Sequence, residues 1–221
     1  MNRPEAVVLL HGIALSKGSL FRVKHTLKRA GYHPVAITYP STRMTIGEIS
    51  AWLKKQHLTD EFWGSYSKVH FVTHSMGGLV ARRYLSQFRY ILPPHKIGRM
   101  VMMGPPNQGS EIADILSGFP PYRWVFGPAG LELSTGHQSQ TADLLYYEVG
   151  VIAGKSRWLY PLSSLLIPRP NDGRVAVERT KLEEIKDHIT LNTSHTFMVY
   201  RGDVQKQILS FLENGVFQHG A

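Results

Sequence analysis

One serine of this chain stands where nucleophilic chemistry is readily built. The stretch Lys68-Val69-His70-Phe71-Val72-Thr73-His74-Ser75-Met76-Gly77-Gly78-Leu79-Val80-Ala81 is an apolar, β-branched run that meets a helical segment through a tight turn centred on Ser75. Such a strand–turn–helix junction holds the serine in a strained conformation with its hydroxyl projecting, provided that the residues two before and two after it are small. Gly77 satisfies that demand, whereas Thr73 stands where a G-x-S-x-G pattern has its first glycine. The plainer reading makes Ser75 an ordinary helix N-cap behind a buried strand.

A serine hydroxyl is a poor nucleophile at neutral pH and needs a base within hydrogen-bond reach, itself oriented by a third group. His195, in Thr193-Ser194-His195-Thr196-Phe197, lies just past the last strand expected from the sequence. His188 opens that strand, and His219 falls in a terminus expected to fray. The acids between Ser75 and His195 include Asp114, Asp143, Asp172 and Asp187, with Glu178, Glu183 and Glu184 behind them. Asp172 is favoured because Pro170-Asn171-Asp172-Gly173-Arg174-Val175 reads as a turn-rich loop from which a carboxylate can reach the histidine. Asp187 is its main rival, but it precedes the last strand and so belongs at the end away from His195. Two backbone amides would serve a developing oxyanion: Met76, directly after the serine, and Ile13, in the strand-end sequence Leu9-Leu10-His11-Gly12-Ile13.

The elements that must position these groups follow from hydrophobic patterning. Six runs rich in Val, Ile and Leu read as strands: Ala6 to Leu10, Pro34 to Thr38, Lys68 to Thr73, Arg99 to Met103, Val149 to Ala153 and His188 to Asn192. Their alternation with amphipathic segments predicts βαβ units, a mostly parallel sheet and helices on both faces. Helices are expected over Leu20 to Ala30, Ile46 to His57 after Thr45, Gly77 to Phe88, Glu132 to Tyr147 with a break, Glu178 to Ile185, and Val204 to Asn214. The last of these begins at an Asp203 N-cap and ends at Gly215. Pro105 to Glu148, rich in Pro and Gly in its first half, reads as an insertion between strands.

Taken together, His11-Gly12-Ile13, Thr73-His74-Ser75-Met76-Gly77-Gly78, Gly104-Pro105-Pro106-Asn107-Gln108-Gly109-Ser110, Asn171-Asp172-Gly173 and Ser194-His195 resemble the small bacterial lipases and esterases of the α/β-hydrolase superfamily. More distantly, the chain is similar to the lipase-like domain of GPI-inositol deacylases. The resemblance spans nearly the whole chain. It implies an α/β-hydrolase fold with little or no lid, and the length of the chain suits one domain over residues 1–221. It also implies a metal-independent serine esterase or lipase working through an acyl-enzyme, with Ser75 as nucleophile, His195 as base and acid, and Asp172 as orienter. A serine followed by an acid and then a histidine is the chain order of that fold.

Composition narrows the alternatives. With no cysteine in 221 residues, disulfides and thiolate metal sites are excluded. No dinucleotide or P-loop glycine pattern follows a strand, and no metal-ligand spacing appears, so no cofactor is expected. The net charge of +9 suits an anionic partner such as a lipid surface, and Lys28-Arg29, Lys54-Lys55 and Arg82-Arg83 are expected on solvated helix faces. No nucleic-acid module is recognisable. The apolar start is too short to span a bilayer and lacks a secretory pattern, which gives a cytoplasmic expectation unless a leader has been trimmed. The substrate expected is a small-molecule or lipid ester. An acyltransferase or thioesterase using the same three residues is the alternative, and a lipid- or partner-binding module without activity is a third. The apolar, proline-punctuated segment from Trp158 to Pro170, flanked by Arg157, Arg169 and Arg174, is expected either to line an acyl groove, to dock on anionic lipid, or to pack as core.

Overall fold

A computed structural model of the chain describes residues 3–117, 120–138, 145–160 and 166–220. All six expected strands are present: β1 (Glu5–Leu10), β2 (His33–Ile37), β3 (Lys68–His74), β4 (Ile97–Met103), β5 (Val149–Gly154) and β6 (Asp187–Leu191). They form one parallel sheet in the order β2-β1-β3-β4-β5-β6. Buried on both faces, β1 divides its side chains by parity, as a period of two requires. Ala6, Val8 and Leu10 join one apolar cluster, while Val7 and Leu9 join the other.

Helices cover both faces. One cluster takes Ile49 and Leu53 from α2 (Ile46–Gln56), Trp63 from α3 (Asp60–Ser65), and Leu79, Val80, Tyr84 and Leu85 from α4 (Met76–Gln87). The other takes Val23 and Leu27 from α1 (Phe21–Arg29), together with Val204, Ile208 and Phe211 from α8 (Gly202–Asn214). The chain passes from β1 outward to β2, then returns past β1 and builds β3 to β6 in the other direction. This reversal makes the carboxyl ends of β1 and β3 a topological switch point, where a crevice opens. Among the described residues, no helix is long and apolar enough to cross a membrane.

Several helix expectations need correction. Thr45 does cap α2, in a reciprocal box with Glu48, and Gly215 ends α8 at φ 75°. Asp203, however, is not the N-cap of α8; Arg201 is, and Asp203 lies inside the helix paired with Arg201 at 2.7 Å. Only a single 3₁₀ turn, Glu178–Thr180, replaces the helix expected to reach Ile185. The backbone carbonyls there have other donors: Gln108 N–H bonds Arg179 O at 3.0 Å, Asn107 Nδ2 bonds Thr180 O at 2.7 Å, and Gln108 Nε2 bonds Lys181 O at 3.2 Å.

The insertion between β4 and β5 contains α5 (Glu111–Ser117), α6 (Pro120–Leu131) and the short α7 (Thr135–Gln138). Residues 145–148 are not helical, and Leu145 and Tyr147 pack on the core as the chain enters β5. Within α6 the backbone breaks at Gly127, with φ 61° and ψ −160°. The carbonyl oxygen of Thr42 lies 1.8 Å from where a Cβ on Gly127 would stand.

Arg82 is also not on a solvated face: it is buried and donates to Asn107 Oδ1 at 3.1 Å, whereas Arg83 is exposed. Near the chain end, His219 Nε2 bonds Asp187 at 2.8 Å, and the Gln218 amide donates to Gln207, so this segment is tied to β6 and α8 rather than frayed.

The closest approach in the sheet-to-helix packing is at Gly77, where a Cβ would lie 2.5 Å from Leu10 O and 2.7 Å from His11 O. Backbone cannot give way there as a flexible side chain would. Gly77→Ala is therefore expected to lower the melting temperature by about 10 °C or more, or to block folding, on the scale of several kcal/mol for overpacking against fixed atoms. Calorimetry of the purified variant measures it, with Gly47→Ala, which meets nothing within 4 Å, as the control.

Candidate active site

Ser75 follows β3 directly and stands at the N-cap position of α4 with φ 53° and ψ −128°. Only one other non-glycine residue, Ala14, has positive φ among the described residues. An ordinary N-cap has extended backbone and a side chain that accepts from the helix amides. Ser75 has neither feature, since its side chain makes no capping hydrogen bond. The turn is held instead by backbone, with Ser75 N–H on Met103 O at 2.8 Å and Gly78 N–H on Ser75 O at 2.9 Å. Positive φ in a residue bearing a Cβ costs about 1–3 kcal/mol and persists only where surroundings enforce it. Thr73, in place of a first glycine, is fully buried, and Gly78 makes room for it: a Cβ on Gly78 would lie 3.3 Å from Thr73 Oγ1.

His195 and Asp172 are brought together. Nδ1 of His195 lies 2.7 Å from Asp172 Oδ2, and the other carboxylate oxygen accepts from the amides of Arg174 at 3.0 Å and Val175 at 2.8 Å. These backbone donors fix the fully buried carboxylate, and the carboxylate in turn fixes the imidazole with its Nδ1 proton inward, leaving Nε2 as the acceptor. The His195 amide donates to Asp172 O at 3.0 Å, so the two loops are also joined through backbone. Gly104 (φ 55°) runs beneath the pair, and a Cβ there would approach His195 Nδ1 to 3.1 Å and Asp172 Oδ2 to 3.2 Å.

The competing acids are occupied elsewhere. Asp187, at the opposite end of β6, accepts from Phe217 N–H and His219. Burial pushes its pKa up, but these donors and the His188 amide outweigh that and hold it below the usual carboxylate range. Asp114 accepts from the amide and hydroxyl of Thr135, both at 2.9 Å. Asp143 lies outside the described residues.

On the β1 side, His11 is buried and stacks on Tyr39 with ring centroids 4.2 Å apart. It accepts from Tyr39 N–H at Nε2 (3.3 Å), while Nδ1 bonds Gly12 O at 2.7 Å, so this ring is neutral and its proton sits on Nδ1. Burial lowers its pKa. The Tyr39 hydroxyl donates to His11 O, which pins the loop that carries Ile13. Among the described residues, neither the Ile13 nor the Met76 amide has a hydrogen-bond acceptor.

Ser75, Ile13 and His195 line one cavity of about 270 Å³. Leu15, Ile112, Ala113, Phe126, Leu133 and Val175 give it an apolar wall, so the insertion supplies much of the lining. None of the described residues of the Trp158–Pro170 segment lines it. Ile167 packs as core with Ile112 and Ala176, Trp158 and Leu166 are exposed, and residues 161–165 lie outside the described residues.

The family model described as "Alpha/beta hydrolase family" matches residues 7–203. The chain belongs to that family. No curated protein sequence matches it. Among solved structures, this α/β hydrolase is similar to the Bacillus licheniformis lipase BlEst2 in its propeptide form: TM-score 0.76, 19% identity, covering 100% of this chain and 52% of the other. It therefore spans about half the length of that protein. The mature form gives a TM-score of 0.68 and 20% identity over 95% of this chain and 89% of the other. A metagenomic carboxyl esterase, MGS0156, gives 0.70 and 15% over 88% and 65%. At these identities the likeness is one of fold.

Sequence reasoning passed over His74 as part of the site. It is buried against His195, with ring centroids 4.9 Å apart, and its Nε2–H donates to the His195 carbonyl at 3.0 Å. Burial first, and then the nearby His195 ring, push its pKa down to about 3, so it is neutral. Its place immediately before Ser75 was the available signal. Arg82, Asn107 and Ser110 were also missed as supports: Ser110 Oγ donates to Arg174 O at 3.1 Å, in the loop that carries Asp172.

Two outcomes follow from this packing. Gly104→Ala places a methyl group against the His195–Asp172 pair at a positive φ. We expect a melting temperature lower by a few degrees, as for about 1 kcal/mol of strain, and a shift of the His195 Nδ1 proton resonance in NMR as the pair is displaced. His74 in the unfolded chain takes a proton near pH 6.5 that the folded protein refuses until about pH 3. Its folded pKa is depressed, so the unfolded state binds more protons across that window, and stability falls as pH drops through it. Urea denaturation of wild type and His74→Asn between pH 7 and 4, about the range in which histidine titrates, measures this as a shallower pH slope in the variant.

Proposed function

We propose that this α/β hydrolase cleaves carboxylic esters through an acyl-enzyme formed on Ser75. The observation that carries the reading is the His195 Nδ1–Asp172 Oδ2 contact of 2.7 Å, in a cavity that also holds a serine at φ 53° with its side chain unused for capping. Ser75 Oγ attacks the ester carbonyl carbon while His195 Nε2 takes the hydroxyl proton, and Asp172 steadies the imidazolium that results. The carbonyl electron pair moves onto oxygen, where the Ile13 and Met76 amides receive it, each such donor typically contributing about 10²–10³ in rate. Met76 N–H is also the first amide of α4, whose N-terminal dipole favours negative charge.

Collapse of this intermediate breaks the bond to the alcohol oxygen, which leaves with the proton from His195. Water then enters, His195 accepts its proton, and the acyl group departs as the acid when Ser75 recovers its own. The apolar wall of Leu15, Ile112, Phe126 and Leu133 receives the acyl portion. Two of the similar structures are a lipase and a carboxyl esterase, which accords with this substrate class.

A fluorophosphonate probe is expected to label the wild type and not Ser75→Ala, and p-nitrophenyl ester hydrolysis to fall with it. Asp172→Asn keeps an oxygen acceptor for the Arg174 and Val175 amides, so it is expected to fold while kcat drops about 10⁴-fold, the order found when a triad carboxylate is neutralised. Equal labelling of both proteins, or an active Asp172→Asn, would overturn the assignment. Transfer of the acyl group to an added alcohol or thiol in preference to water would instead assign the same residues to an acyltransferase.

A further inference from the structure

Outside the cavity, four aromatic side chains run in contact along the carboxyl edge of the sheet. Phe21, at the start of α1, packs on Tyr200 with ring centroids 5.9 Å apart, and Tyr200 meets Phe197 at 6.3 Å. Phe197 then stacks on Trp158 at 5.8 Å with 16° between the ring planes. Trp158 is 68% exposed, Phe21 57% and Phe197 41%. Exposed apolar residues scattered singly need no explanation, but a contiguous ridge does. This ridge borders the site, because Phe197 follows Thr196, which lines the cavity.

The ridge runs into a cluster of positive charge. Arg157, next to Trp158, lines a second hollow of about 330 Å³ with Lys155, Arg169, Pro170 and Asn171. Among the described residues, no acidic residue lines it and none of the three cations has an ion-pair partner. In a chain of net charge +9 these are positive groups held beside exposed aromatics. Amphipathic rings seat at the headgroup boundary, and lysines and arginines beside them meet lipid phosphates.

We propose that this edge docks on an anionic phospholipid surface, with Trp158, Phe197 and Phe21 entering the headgroup region and Lys155, Arg157 and Arg169 taking the phosphates. Docked in this way, the mouth of the cavity faces the lipid. The inference concerns binding and stands apart from the chemistry assigned to Ser75.

Co-sedimentation with vesicles of phosphatidylcholine containing phosphatidylglycerol, against phosphatidylcholine alone, tests it without turnover. Wild type is expected to sediment with the anionic vesicles and to be released by salt. Replacing Lys155, Arg157 and Arg169 together by Gln should weaken binding roughly a hundredfold, at about fivefold for each basic residue near such a surface. Trp158→Ala with Phe197→Ala should also weaken it, whereas Tyr90→Ala, exposed beyond the far end of α4, should not. These residues are at the surface, and unchanged melting temperatures will separate lost docking from lost folding. Equal binding to neutral vesicles, no binding, or unchanged binding of either variant overturns the proposal. So does a concentration-dependent dimer that Trp158→Ala abolishes, which would assign the ridge to a second copy of the chain.

Discussion

Helix α4 leaves β3 so close to the end of β1 that at Gly77 there is no space for a methyl group. That approach is set by the packing of the same helix into the core, where Leu79, Val80, Tyr84 and Leu85 are nearly or fully buried. Hydrophobic burial of about 1.5–3 kcal/mol for each such side chain more than offsets the strain of one residue at positive φ. The turn at Ser75 is therefore enforced by the sheet and the core together. The same closeness sets the Ile13 loop beside the serine, since a Cβ on Gly12 would lie 3.3 Å from Ser75 Cβ.

A second layer of constraint is polar. The segment after β4 sits between α4 and the loop bearing Asp172, with Asn107 bonded to Arg82 on one side and to the Thr180 carbonyl on the other. Burying an arginine costs several kcal/mol unless it is hydrogen-bonded, so the contact between Arg82 and Asn107 is costly to lose. Ser110, reaching Arg174 O, closes it. The position of Asp172 thus rests on these long-range contacts as well as on the amides of its own turn.

The sheet was legible because its inner strands β1, β3, β4 and β5 are largely buried on both faces, so their apolar runs are continuous, while the edge strands β2 and β6 are only partly buried and carry shorter runs. Ser75 and His195 were legible for a related reason, both standing at strand ends marked by local sequence. Asp172 was distinguishable from Asp187 by its turn-rich loop and by the place of Asp187 at the end of β6 away from His195. What the sequence concealed is what depends on distant atoms. The segment Glu178 to Ile185 has helical composition, but Asn107 and Gln108 take its carbonyls. Arg82 reads as a surface charge until Asn107 is found beside it. The six-residue α3 carried a readable signal, Thr59 followed by Asp60 and Glu61, but is too short to show amphipathic periodicity.

His74 shows how the electrostatics of the site follow from the same packing. A second imidazole 4.9 Å from His195 would, if protonated, repel the positive charge that His195 acquires in the proposed reaction. Burial keeps His74 neutral down to about pH 3, so at physiological pH it contributes a hydrogen bond to the His195 carbonyl and no competing charge. Because His74 and Ser75 are adjacent in the chain, that bond ties the strand end carrying Ser75 to the loop carrying His195. Its energy is modest, about 1 kcal/mol for a neutral donor. What it contributes is registry: the β3 turn and the loop after β6 are positioned relative to each other by an uncharged contact that does not compete with the Asp172 carboxylate for His195 Nδ1.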